Sequence, residues 1–354
     1  MPSLDSLLQQ IVAEHRTLTR AEARAALHAI LLSDPDAASD PTSDQSIAEL
    51  LTVMAQRGET IDELAGFAEA MRSLSIPVPL TDEERAAIVD TCGTGGDGRG
   101  TFNISTGAAL VAAAAGAKVA KHGNRGVTSK CGSADVLEAL GVPVALTPAH
   151  SAACLRATGF TFLFAPALHP ALKRVQPIRR ALGFRTIFNL AGPLTNPAGA
   201  PAQIMGVYSP EKLEVVAGAM AQLGIRHGRV VHARNGIDEI ALSATDSILV
   251  APPAPLVRAV IHPEDAGLAP ADLTELQGAD TAQENAALLE AILSGAEQGP
   301  RRDVVLLNAA AALEAAGLAS DLKEGVNRAA AAIRSGAARQ TLHALRGFAA
   351  SQSA

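Results

Sequence analysis

Two stretches of this 354-residue chain hold side chains whose types and spacing suit work on phosphate. The first, Asp90 to Thr106, reads DTCGTGGDGRGTFNIST. It sets glycines 93, 95, 96, 98 and 100 between an apolar lead-in at Ala86 to Val89 and a helix-like segment. Glycines permit positive φ and close backbone approach, so the N–H groups of such a loop and of the next helix N-terminus form a nest for an anion. The second stretch, Lys121 to Ser133, reads KHGNRGVTSKCGS and places Lys121, Arg125 and Lys130 beside His122, three hydroxyls and further glycines. Together they predict a substrate carrying several phosphates. Asp238-Glu239, after the strand-like Val230 to Ala233 and a turn at Gly236, adds two adjacent carboxylates, hard oxygen ligands that suit Mg²⁺. Adjacent acids are also common on solvated loops.

Competing readings of the same residues carry less. Gly93-Thr-Gly95-Gly-Asp-Gly98 matches the G-x-G-x-x-G dinucleotide fingerprint, a weak signal alone. That reading needs a helix directly after the third glycine and an acid ending the second strand. Here Arg99 to Ser105 intervene before the apolar helix, and the next strand, Ala117 to Lys121, ends in lysine. No G-x-x-x-x-G-K-[ST] occurs, which removes the P-loop. Lys121, His122, Asn124 and Arg125, in a glycine-containing loop after a strand, can converge on phosphate oxygens or form a solvated basic loop. His122 also reads as a satisfied structural histidine.

The elements that must position these groups fall into two styles. Residues 1–80 read as helices, with capping boxes at Thr19/Glu22, Ser46/Glu49 and Thr60/Glu63 and no convincing strand. Ser33 to Asp44 is a polar, proline-broken loop between helices. After Ile76-Pro-Val-Pro, short apolar strands alternate with alanine-rich helices: Ile88-Val89, Ala117 to Lys121, Pro143 to Leu146, Phe160 to Phe164, Ile204 to Val207 and Arg229 to Val231. The alternation predicts an α/β fold with a mostly parallel sheet.

Composition narrows the class. Hydrophobic residues at 48% supply ample core for one large domain or two. A net charge of -7, no Trp and one Tyr argue against a basic, aromatic nucleic-acid surface. The odd set Cys92, Cys131 and Cys154, without C-x-x-C spacing, fits free thiols in a reducing compartment. The beginning MPSLDSLLQQ lacks a signal-peptide pattern, and the longest apolar run, Ala108 to Ala115, is too short to span a bilayer. The expectation is a cytoplasmic protein with a small-molecule partner, without nucleic acid or membrane.

The ordered motifs GTGGD at Gly93 to Asp97, NIST at Asn103 to Thr106, KHGNR at Lys121 to Arg125, GSADVLEALG at Gly132 to Gly141, RTIFNLAGPLTNP at Arg185 to Pro197 and the pair Asp238-Glu239 carry a family resemblance. From about Leu18 to the C-terminus the chain resembles the anthranilate phosphoribosyltransferases. The resemblance implies transfer of the phosphoribosyl group of phosphoribosyl pyrophosphate to the amine of anthranilate, in tryptophan biosynthesis. It implies a nucleoside phosphorylase/phosphoribosyltransferase-like fold with a small helical domain, residues 1–80 joined in space by about 169–197, and an α/β domain, 81–354. It further implies a homodimer formed through the helical domain, whose apolar faces can equally pack only together.

Carried onto this chain, the family's phosphoribosyl pyrophosphate contacts are Gly93, Gly96, Asp97, Thr101, Asn103, Ile104, Ser105, Thr106, Lys121, His122, Gly123, Asn124, Arg125, Gly126, Val127, Thr128, Ser129 and Ser133. Anthranilate falls to Gly93, Asn124 and Arg179, and Mg²⁺, as two ions, to Ser105, Asp238 and Glu239. Ser105 reads equally as a helix N-cap, Asp97 as a turn former, and Arg180 is the confounder beside Arg179. No nucleophile is needed: an aromatic amine is unprotonated near neutral pH, and positioning with charge neutralisation by Mg²⁺, Lys121 and backbone N–H groups releases pyrophosphate from an oxocarbenium-like ribose. His122 transfers a proton or only hydrogen-bonds substrate. The chain departs from the family at Gly126, Thr128 and Cys131, where serines are usual, and at Arg174, where a second histidine often follows His169. A pyrimidine nucleoside phosphorylase and a non-catalytic nucleic-acid-binding paralogue are the alternatives.

Overall fold

The computed structural model describes residues 7–11, 16–34, 43–126 and 130–352. Its N-terminal helices are α1 (Arg20–Leu32), α2 (Asp44–Arg57) and α3 (Ile61–Ser73). Thr19 and Thr60 cap α1 and α3 as expected, each accepting the N–H three residues on while Glu22 and Glu63 reach back. The second helix begins earlier than the Ser46/Glu49 box predicts. Ser43 is its N-cap and accepts from Ser46 N at 3.0 Å, so Ser46 lies in the first turn and is not the cap. Of the loop predicted over Ser33 to Asp44, residues 35–42 lie outside the described residues, and no strand occurs among the described residues before Ile88. Glu63 is fully buried yet paired, accepting from Leu18 N at 2.9 Å and Arg57 Nη2 at 2.6 Å. At Gly66 an added Cβ would stand 2.4 Å from the Arg20 carbonyl oxygen, so only glycine lets α3 cross α1 this closely.

Seven strands form one sheet: β1 (Ile88–Asp90), β2 (Lys118–Gly123), β3 (Phe160–Phe164), β4 (Ala202–Gly206), β5 (His227–Ala233), β6 (Thr245–Val250) and β7 (Val257–Ile261). The order is β3-β2-β1-β4-β5-β6-β7, parallel through β5, with β6 and β7 antiparallel. Five predicted strands are present. Pro143 to Leu146 is not one. Pro143 has no N–H to give a ladder, and Val142 and Val144 are buried as the chain passes from helix to helix. The sequence reading missed β6 and β7, whose joining run Ala251 to Pro255 holds three prolines that read as loop.

Helices cover both faces. On one lie α4 (Ile104–Ala114), α5 (Ser133–Ala139), α10 (Ala282–Ser294), α11 (Pro300–Ala315), α12 (Leu322–Arg334) and α13 (Ala337–Gln352), packed with Val119, Phe160, Ala202 and Ile204. The helix α6 (Pro148–Thr158) packs beside β3, with Ala152 and Leu155 in a smaller cluster that includes Ile88 and Leu163. The other face carries α7 (Gln176–Leu182), α8 (Ile187–Ala191) and α9 (Leu213–Gln222). Val175, Ile178, Ile187, Phe188 and Leu194 of the mid-chain segment share one buried cluster with α1, α2 and α3, and Met205, Val207, Val230, Ile248 and Val250 of the sheet join it. The chain passes from β1 to β2 and β3 on one side and resumes at β4 on the other, so a crevice opens at the carboxyl ends of β1 and β4, where open α/β sheets take ligands.

Candidate functional site

The crevice begins with three backbones in close contact. Thr94 N donates to Gly206 O at 2.9 Å, and a Cβ at Gly206 would fall 1.5 Å from the Asp238 carbonyl oxygen. The glycine loop after β1, the end of β4 and the segment after β5 are therefore fixed against one another. This seats Asp238-Glu239 beside the loop. Gly95 N donates to Asp238 Oδ2 at 2.6 Å, and Asp97 takes Arg99 N at 3.0 Å through Oδ1 and Asp238 N at 3.3 Å through Oδ2. Gly95, expected in an anion nest, thus spends its N–H on a carboxylate. The loop is held from outside as well. Arg185 donates to Gly96 O while stacking 4.2 Å from the Tyr208 ring, and Gln277 donates to Arg99 O at 3.2 Å.

Asn103 is the N-cap position of α4, so the helix starts at Ile104, one residue before Ser105, and the N-cap reading of Ser105 does not hold. Ser105 N donates to Glu239 Oε1 at 3.1 Å. Asn103 Nδ2 donates to Cys131 O at 3.1 Å, Thr101 bridges to Gln277, and Ile104 and Thr106 are fully buried, the Thr106 hydroxyl without a partner among the described residues.

Lys121 and His122 are not in a loop, as the sequence suggested, but inside β2, which runs on to Gly123. Lys121 is 2% exposed, and its Nζ donates to Thr91 O at 2.7 Å, Thr91 Oγ1 at 3.2 Å and Ser105 Oγ at 3.3 Å. It underpins the crevice floor and is not presented on the surface. His122 N donates to Asp90 Oδ1 at 3.1 Å, and Asn196 Nδ2 donates to Asp90 Oδ2 and Ala120 O, both at 2.8 Å. The His122 ring lies 5.1 Å from that of His169, both buried. Asn124 is exposed and accepts from Arg125 N at 2.8 Å. The Arg125 guanidinium turns away to Asp135 and Glu138 and over Phe164 at 5.6 Å. Gly126 N donates to Asp135 at 2.9 Å, and Ser133 opens α5. Val127, Thr128 and Ser129 lie outside the described residues.

Arg179 stands on α7, its guanidinium 5.0 Å from the Phe188 ring centroid. Among the described residues no carboxylate pairs with it, and burial lowers its pKa. It makes no hydrogen bond to the glycine loop, but its segment also carries His169 and Arg185, which reach the crevice. Arg180 is exposed. Arg174, at the departure from the family, is tied to Ser33 Oγ at 2.8 Å and Asp44 at 2.6 Å, between the ends of α1 and α2.

The electrostatics call for a cation. Burial first, then Glu239 and Asp97, push Asp238 well above the usual carboxylate range. Burial pushes Glu239 up to about 7 against the opposing pull of Lys121. Burial likewise raises Asp90 to about 6, although Lys121, Asn196 and the His122 N–H favour its charged form. Two crowded carboxylates and the Ser105 hydroxyl form an all-oxygen donor set that fits Mg²⁺. Among the described residues no cluster of three or more His, Cys, Asp or Glu gathers to hold a metal, so the crevice offers two carboxylates and a hydroxyl rather than a full side-chain cage.

Thr91, Asn196, His169, Arg185 and Gln277 were not singled out as site residues in the sequence. Thr91, Asn196 and Arg185 stood within noted stretches and His169 was noted only as a family landmark, whereas Gln277 lay outside them.

The chain matches a model of the glycosyl transferase family a/b domain over residues 85–339, and one of that family's helical bundle domain over residues 6–75. It is 48% identical to a Solibacter usitatus protein named anthranilate phosphoribosyltransferase over 352 residues, 99% of this chain and 100% of that one. A Moorella thermoacetica protein of the same name is 48% identical over 342 residues, 97% of each. Among solved structures, anthranilate phosphoribosyltransferase from Thermus thermophilus superposes with TM-score 0.88 at 42% identity, covering 97% of this chain and 98% of that one. The Saccharomyces cerevisiae enzyme in complex with phosphoribosyl pyrophosphate and Mg gives TM-score 0.87 at 28% identity over 98% of both chains. The same yeast enzyme with 4-fluoroanthranilate gives 0.85 at 28% over 98% of both.

Proposed function

Because this chain belongs to the anthranilate phosphoribosyltransferase family, we propose that its crevice transfers the phosphoribosyl group of phosphoribosyl pyrophosphate to the amine of anthranilate, giving N-(5-phosphoribosyl)anthranilate and pyrophosphate for tryptophan synthesis. The observation that carries it is the fixed junction of Gly93-Thr94, Gly206 and Asp238, which holds a glycine loop and two proton-hungry carboxylates at one point of the crevice. Neither a nucleoside phosphorylase nor a nucleic-acid-binding paralogue is favoured by relatives at this identity.

The enzyme is a pentosyltransferase that works with Mg²⁺. Asp238, Glu239 and Ser105 would hold the metal, which when bound neutralises the charge of the departing pyrophosphate. Asp238 and Glu239 follow each other yet engage different groups, Gly95 and Ser105, which supports two ions. Lys121 fixes the Ser105 hydroxyl from below and supplies a buried positive charge to the floor. The Gly96, Gly98 and Gly100 backbone and the N-terminus of α4 supply N–H donors for phosphate, and Thr101, Asn103 and Asn124 frame the mouth of the crevice. Arg179 is the carboxylate partner of anthranilate, its planar fork suited to a bidentate contact. His122, with burial and His169 holding its imidazole neutral, orients substrate and does not supply a positive charge. With both substrates held in line, positioning and charge neutralisation account for the rate.

The helical unit is residues 1–80 with the returning segment 169–197, and the α/β unit is 81–354. The apolar cluster shared by α1, α3, α7 and α8 supports the return of that segment to the helices. Two chains pair through the helical unit, where Leu32 is 60% exposed and Ile61 36%. Three free cysteines suit a reducing cytoplasm. No helix among the described residues is long and apolar enough to cross a membrane.

The test is fluorescence. Anthranilate emission falls on mixing with phosphoribosyl pyrophosphate, Mg²⁺ and the protein, and unchanged emission at micromolar protein overturns the activity. Sedimentation of Leu32→Asp as a monomer supports the pairing.

A further inference from the structure

A second charged recess lies away from the crevice. It is an open cavity of about 390 Å³ lined by Arg20, Arg24, Glu69, Arg72, Ser73 and Leu223. It lies against the loop that leads from α9 into the amino end of β5, at His227, whereas the crevice opens at the carboxyl ends of the strands. None of its lining residues belongs to the site described above.

The close α1–α3 crossing at Gly66 brings Arg20 and Arg24, one turn apart on α1, beside Glu69 and Arg72 on α3. Arg20 Nη2 donates to Glu69, the one acid in the lining. Asp62, near enough to Arg20 to favour its charge, accepts from Gln222 at 2.7 Å. Arg72 donates through Nε to Leu194 O at 2.7 Å and through Nη1 to Leu223 O at 3.3 Å, leaving Nη2 without a protein partner among the described residues. Burial pulls its pKa down to about 10, so it stays charged near neutrality without a paired carboxylate. Arg24 is exposed and makes no hydrogen bond or ion pair among the described residues. Three guanidiniums against one carboxylate, in a chain of net charge -7, make a localised positive recess of the size that holds small ligands.

We propose that this recess binds a small phosphorylated anion, gripped by Arg24 and Arg72 with Arg20 at its rim. Guanidinium forks reaching one spot from two helices suit a tetrahedral group with three or more acceptor oxygens better than a carboxylate with two.

Calorimetric titration of the full-length chain with inorganic phosphate tests it, with acetate at matched ionic strength as the second arm. The wild type takes up phosphate in a class that Arg24→Glu weakens at least tenfold and Arg24→Gln weakens less, while kcat and both KM values stay unchanged. Acetate binds this class far more weakly. Equal phosphate binding by wild type and Arg24→Glu, or acetate matching phosphate, overturns the proposal. So does conversion of a dimer to monomer by Arg24→Glu without phosphate, because the recess would then be a seat for a second copy of the chain.

Discussion

Arg179→Ala separates the anthranilate site from everything that holds the fold. The guanidinium lies over Phe188 with no carboxylate partner among the described residues, and burial already disfavours its charge. The folded chain therefore loses little when it is removed: about 0.5 to 1 kcal/mol of cation–π attraction, offset in part by relief of the desolvated cation. The substrate complex loses more, because a charge-assisted contact to the anthranilate carboxylate is worth about 1.5 to 3 kcal/mol. At about 1.4 kcal/mol per factor of ten, kcat/KM for anthranilate falls roughly ten- to a hundredfold while the melting midpoint barely moves. Fluorescence kinetics with each substrate varied separately should place the loss in the anthranilate constant and spare that of phosphoribosyl pyrophosphate. Arg179→Lys restores only part, since a point charge lacks the fork, and exposed Arg180→Ala is mild. An unchanged anthranilate constant in Arg179→Ala, or a larger penalty in Arg180→Ala, refutes the reasoning.

Asp238→Asn and Glu239→Gln should lose most turnover yet melt no lower than the wild type, because each removes one of two carboxylates that repel each other; full activity at limiting Mg²⁺ counts against the metal assignment. Gly206→Ala forces a methyl onto the Asp238 carbonyl and should cost about 1 to 3 kcal/mol of stability with weakened Mg²⁺ dependence; wild-type melting and metal titration curves contradict the three-backbone junction. His169, held at about 4 by burial against an ordinary 6.5, is neutral in the fold where the unfolded chain is protonated. Stability therefore falls as pH drops from 6.5 to 4, by about 1.4 kcal/mol per unit and roughly 3 in all. His169→Gln should flatten that slope in denaturant titrations, and parallel curves would remove burial of His169 as its cause.

The glycine loop, the paired carboxylates and the helical beginning were legible because each depends on local chemistry: glycine spacing, adjacent acids, capping boxes. What stayed hidden depends on distant partners. Lys121 reads as a loop cation, and only the pairing of β2 with β1 and β3 shows it as a buried strut under Thr91 and Ser105. Asn196 and His169 gain meaning only when the mid-chain segment returns to Asp90 and His122. The antiparallel β6 and β7 were masked by the prolines between them, and the extended stretch at Pro143 shows the converse, strand-like composition without a ladder.

The apolar cluster beneath the helical unit bears on modularity. Its members come from α1, α2 and α3, from the mid-chain helices and from one face of β4, β5 and β6, so the two family models that divide the chain near residue 80 meet within a single hydrophobic interior. A fragment cut at that seam would carry Met205, Val207, Val230, Ile248 and part of α9 as uncovered surface, a sticky patch and not a solvated face. The seam between the two family models thus runs through one hydrophobic interior, and exchange of helical bundles between relatives requires matching the sheet face they land on.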